Sequence, residues 1–161
     1  MTPETISRTI VVGYDGSPAA HAAVEHAIDR AGPDGRLVLV HGYLVPNDHV
    51  GASYYNDMLA DASQYATSVL DRLEHDCERL GTVEYERDIV VGSAATAIVQ
   101  AAESREADEI VIGSRGVGRM RALMGSVAHD VIHRAGCPVT VIPGRMVELQ
   151  TRKPVVTASA V

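Results

Sequence analysis

The chain has 161 residues, 46% hydrophobic and 22% charged, a size and balance that point to one domain burying about 70% of its unfolded surface and leave little room for a second core. Its net charge of −7 argues against general affinity for nucleic acid or an anionic membrane surface. Cys77 and Cys137 are too few for a disulfide framework, Met1 to Ser7 has no basic leader pattern, and no apolar run reaches the ~18–20 residues of a membrane span, so reduced thiols and a cytoplasmic location are expected.

Arg8 to Gly13 is short, apolar and β-branched, the pattern of a strand buried on both faces, and it ends at Tyr14-Asp15-Gly16-Ser17-Pro18. Ser17 followed by Pro18 is a cap and first-turn pair. Ala20, Ala23, Val24, Ala27, Ile28 and Ala31 then recur at helical spacing until Gly32-Pro33. Arg36 to Val45 forms a second buried strand. Pro46 to Asn56, rich in Gly, Asn, Asp and Tyr, is expected to be a loop with Tyr54-Tyr55 inside it. Asp57 to Leu80 carries the longest helical pattern, with Leu59, Ala62, Ala66, Val69, Leu70, Leu73, Cys77 and Leu80 inward, and closes at Gly81.

Val83 to Val91 begins by alternating, as a half-solvated strand does, and Gly92-Ser93 leads into a helix with Ala95, Ile98, Val99 and Ala102 on its inner face. Asp108 to Gly113 is a fourth strand. A last helix opens at Ser126, its expected N-cap, with Val127, Val131, Ile132 and Ala135 on one face, and Pro138 to Ile142 is a fifth strand. Periodicity ends at Pro143, which suggests a domain over 1–143 and a flexible tail over 144–161. Strands and helices alternate and each crossover exceeds a dozen residues, so the expected fold class is α/β, a five-stranded parallel sheet with helices on both faces.

The chemistry concentrates after the fourth strand. Gly113, Gly116, Gly118 and Gly125 would allow positive φ and close backbone approach, Arg115, Arg119 and Arg121 bring permanent charge, and the helix opening at Ser126 aims free N–H groups at an anion. In an open parallel sheet the loops after strands one and four both lie at carboxyl ends. If those strands are neighbours, Asp15 and the 113–126 loop line one crevice, a carboxylate for ribose or base on one side and a phosphate cradle on the other.

Val11-Val12-Gly13-Tyr14-Asp15-Gly16-Ser17, Ile89-Val90-Val91-Gly92, Ala107 to Gly116, Gly125-Ser126-Val127-Ala128 and Cys137 to Ile142 together resemble the universal stress protein family over roughly residues 8–143. The resemblance implies a Rossmann-like, adenine nucleotide alpha hydrolase-like sheet in the order 3-2-1-4-5. It also implies membership of the ATP-binding branch, with base and ribose near Gly13, Asp15 and Val40 and phosphates at Gly113, Arg115, Gly116, Gly125, Ser126 and Val127. Eight residues separate Gly116 from Gly125 here, one fewer than in the family pattern. ATP, with Mg, is the expected ligand, AMP or a cyclic nucleotide the alternatives, and the expected role is a stress-response regulator whose partner binding depends on nucleotide. The resemblance further implies a homodimer built on the fifth strand, Val139 to Ile142, an apolar edge that pairing would cover.

A P-loop hydrolase would need a lysine beside its last glycine, but Lys153 in the tail is the only lysine in the chain. Efficient turnover is therefore not expected, and slow ATP hydrolysis or autophosphorylation stands as an alternative, beside a non-binding protein-interaction module of the same fold. His129 and His133, four apart on one helix, lack a spaced third metal ligand, and His21 and His26 read as solvated helix residues. His41 at the end of strand two borders the expected base site but reads first as a core or rim histidine. No catalytic or metal-binding residue is assigned.

Overall fold

The computed structural model describes residues 7–45, 52–114 and 124–143. Its elements run β1 (Thr9–Gly13), α1 (Pro18–Ala31), β2 (Arg36–Tyr43), α2 (Ala52–Asp76), a 3-10 turn (Glu78–Thr82), β3 (Glu84–Val91), α3 (Ala94–Ser104), β4 (Glu109–Gly113), α4 (Ser126–Arg134) and β5 (Val139–Ile142). All four strand pairings are parallel and the sheet order is β3-β2-β1-β4-β5, as expected. Residues 144–161 lie outside the described part of the chain, as do Pro46 to Gly51.

Side chains that alternate along each strand divide the core into two layers. Ile10, Val12, Leu37, Leu39 and Val111 pack under α1 and α2, whereas Val11, Val38, Val40, Ile110 and Ile112 pack under α3 and α4. Strands β1, β2 and β4 are therefore apolar on both faces, while β3, at an edge, is only half-buried along most of its length. Ser17 caps α1 as its sequence suggests: its backbone is extended and its Oγ accepts from Ala20 N–H at 3.1 Å.

The second helix departs from expectation at both ends. It begins at Ala52, taking in residues expected to be loop, because half-buried Tyr55 extends the inward stripe through Met58, Leu59 and Ala62, while Tyr54 points out, 59% exposed. It ends at Asp76 rather than Leu80, and the chain then tightens so that Leu80 N–H reaches Cys77 O at 3.0 Å, with Leu80 still carried into the core. Arg79 in this turn pairs with Glu25 and Asp29 of α1.

Cys77 is buried and free, Cys137 half-buried and free. Burial and the neighbouring Glu25 carboxylate push the Cys77 thiol up to about 11. No helix of the described residues is long and apolar enough to cross a membrane.

Candidate functional site

Register brings the expected site together. Gly13 at the end of β1 lies beside Val40 of β2 and Ile112 of β4, so the loops that leave β1 and β4 emerge next to each other. Two buried contacts fix the first loop: Tyr14 N–H donates to Val40 O at 2.9 Å, and His41 Nδ1 hydrogen-bonds Tyr14 O at 2.8 Å. His41 is thus a core residue, 8% exposed, that pins the backbone leading to Asp15. Asp15 Oδ1 accepts from Ser17 N–H at 2.9 Å across Gly16, whose φ of +81° is one that glycine adopts without strain.

The second loop is held at both ends. Ser114 N–H donates to Ile142 O at 2.8 Å, and Gly125 N–H returns to Ser114 O at 2.7 Å, which sets the start of α4 against the end of β4. Gly125, not Ser126, is the N-cap: its backbone is extended, with φ −75° and ψ 159°, and its carbonyl accepts from His129 N–H. Ser126 is already helical. Gly125 has no side chain with which to cap the helix, the first-turn N–H groups of Ser126, Val127 and Ala128 have no carbonyl partner within it, and all three residues line the crevice. The buried face of α4 also differs from expectation, being Ala128 and Val131, with Val127 and Ile132 exposed.

Between these loops lies a cavity of about 330 Å³, within the usual range for small-molecule sites. Seven of the nine sequence-assigned residues, Gly13, Asp15, Val40, Gly113, Gly125, Ser126 and Val127, line it together. Arg115 and Gly116 lie outside the described residues, as do Gly118, Arg119 and Arg121. Gly113 and Gly125 are not in the left-handed region expected of them. What Gly113 provides is proximity: a Cβ there would stand 2.9 Å from Ala19 C, so its missing side chain lets α1 sit against β4.

The cavity walls also include residues that sequence reasoning did not assign, among them Gly42, Ala94 and Ile98. These come from β2 and α3, and a Cβ on Gly42 would meet Ala94 Cα at 2.6 Å. The adjacent Gly92-Ser93-Ala94 turn was the only local signal for them. Tyr14 lines the cavity too, and burial first, then Asp15 and Asp76, raise its phenol above the ordinary value. His129 and His133 meet edge to face on α4, ring centroids 4.5 Å apart.

Residues 7–143 match the family model described as the universal stress protein family. The universal stress protein Rv1636 of Mycobacterium tuberculosis is 32% identical over 142 residues, spanning 84% of this chain and 95% of that protein. A solved universal stress protein in complex with cAMP superposes with a TM-score of 0.61 at 27% identity, over 84% of this chain and 96% of that one. The universal stress protein of Archaeoglobus fulgidus in complex with dAMP superposes with a TM-score of 0.53 at 25% identity, over 86% and 99%. By fold, by a match that spans all its described residues and by these relatives, the chain belongs to the universal stress protein family.

Proposed function

We propose that this protein binds an adenine nucleotide in the cavity between the β1 and β4 loops and uses its occupancy, rather than its hydrolysis, to control binding of a protein partner in the cytoplasm. The observation that carries the reading is where α4 starts: Gly125, Ser126, Val127 and Ala128, whose first-turn N–H groups have no carbonyl partner within the helix, line the same cavity as Asp15. In this arrangement Asp15 offers its second carboxylate oxygen to the ribose or base, Gly13 and Val40 provide the apolar floor, and Gly113, Gly125, Ser126 and Val127 take phosphate, with Arg115 and Gly116 completing the cradle. Solved relatives that hold cAMP and dAMP support an adenine ligand. ATP with Mg is the ligand we favour, and AMP and cyclic nucleotides are its competitors. A homodimer paired along β5, an edge strand with half-buried Val139, Thr140 and Val141, would bring two such sites into one assembly.

The test is calorimetric titration of nucleotide-stripped protein with ATP, AMP and cAMP, alongside Ser126→Glu. An acidic residue at the first helical position favours α4 by about 0.3–1 kcal/mol yet repels phosphate, so the variant melts no lower than the parent. Its affinity should fall at least tenfold, about 1.4 kcal/mol. No heat of binding together with an unchanged melting temperature at millimolar ATP would overturn the proposal and leave a protein-interaction module of the same fold. Time-dependent ADP or phosphoprotein would establish turnover instead.

A further inference from the structure

A second cluster of chemistry-bearing side chains lies where α1 meets the end of α2. His21 and Glu25 stand one turn apart on the same face of α1, and Cys77 is the residue at which α2 gives way to the 3-10 turn. One donor atom from each, an imidazole nitrogen, a carboxylate oxygen and Sγ, lies within 4.8 Å of the other two. Cys77 Sγ–H donates to Glu25 Oε1 at 3.2 Å, while Arg79 Nη1 holds Glu25 Oε2 at 2.5 Å. The geometry points to a binding site for a divalent cation of the zinc class, formed by His21, Glu25 and Cys77.

The donor set itself argues for that class. Nitrogen, oxygen and thiolate sulfur together suit a borderline-soft ion, whereas calcium and magnesium take oxygen. Ligands about 2.0–2.3 Å from a tetrahedral ion stand roughly 3.3–3.8 Å apart, close to the observed sulfur–oxygen separation. On binding, the cation takes the place of the thiol proton, which leaves to solvent, and the two charges of the ion are balanced by one thiolate and one carboxylate. Arg79 then serves as the outer partner that orients the ligating carboxylate, itself fixed by Asp29. Three protein donors leave the fourth position to water or an outside ligand. Cys77 is held in place by Cys77 N–H to Leu73 O at 2.8 Å and by Leu80 N–H to Cys77 O, so the cation would tie α1 to the end of α2 on a rigid frame.

Cobalt(II) is the probe, titrated into the full metal-free chain with zinc(II) as competitor, independently of any nucleotide. The expected result is a thiolate-to-cobalt charge-transfer band that saturates at one equivalent, is displaced by zinc, vanishes in Cys77→Ser and requires at least tenfold more cobalt in His21→Gln. Cys137→Ser and His133→Gln leave it intact, and zinc raises the melting temperature of the parent but not of His21→Gln. Half-buried His21 is replaceable without opening the core, and melting curves of the metal-free variants confirm their folding. No band in the parent, or a band that survives Cys77→Ser or disappears with Cys137→Ser, would overturn the assignment.

Discussion

Replacing Gly113 by alanine separates what this glycine does for the fold from what it does for the cavity. An alanine Cβ would stand 2.9 Å from Ala19 C and from Ala19 Cβ, and 3.0 Å from Ala20 N, all of them backbone or backbone-bound atoms of the first turn of α1. No flexible side chain can yield there, so α1 must move off β4. Overpacking of this kind costs about 1–3 kcal/mol, and the upper half applies because backbone is met. The gain from replacing a strand glycine, roughly 0.5–1 kcal/mol, offsets part of it and leaves about 2 kcal/mol. For a domain of this size that lowers the melting temperature by about 4–8 °C. Gly81→Ala is the control, since nothing lies within 4 Å of its added Cβ and its backbone is one alanine adopts, so it should be neutral or slightly stabilising. Urea and thermal unfolding of both variants provide the assay. Because Ser17 and the Asp15 turn ride on the displaced end of α1, the nucleotide binding proposed above should be weaker in Gly113→Ala as well. A variant as stable as the parent would refute the argument that Gly113 is there for helix approach.

Removal of the α1 cap by Ser17→Ala should cost about 1 kcal/mol, and Ser17→Gly only a few tenths, read as shifts in the urea midpoint. Tyr14 makes stability depend on alkaline pH. Its folded phenol titrates above the ordinary 10.0, so the unfolded chain loses that proton first, and stability is intact below about pH 10 and declines above it. Tyr14→Phe keeps the ring and removes this component, so the parent should lose more stability than the variant between about pH 9 and about pH 11. Equal losses would show that the Tyr14 phenol is not desolvated as described.

Much of the architecture was legible because short-range physics decides it. Continuous apolar, β-branched runs mark strands buried on both faces, and long helical crossovers between them favour parallel pairing, hence β1, β2 and β4 in the interior, whereas the alternating start of β3 marks an edge. Ser17-Pro18 marked the start of α1 because a cap and a fixed φ act locally. Where several local solutions cost nearly the same, tertiary contacts chose. Gly125 and Ser126 are both acceptable caps, and the bond from Gly125 N–H to Ser114 O selects Gly125, a cap with no side chain of its own to engage the first-turn donors. The nine residues of α4 carry apolar side chains on more than one face, and packing beside α3 buries Ala128 and Val131 while Val127 and Ile132 stay outside. Tyr55 joins α2 because it has a core to pack against, which composition alone does not reveal. Gly113 reads in the sequence as loop chemistry, but only the position of Ala19 shows that it is a spacer for α1. The meeting of Glu25 with Cys77 across 52 residues has no local signature at all. A chain dictates its periodicities and turns by itself, whereas which distant side chains become neighbours depends on the packing of whole elements.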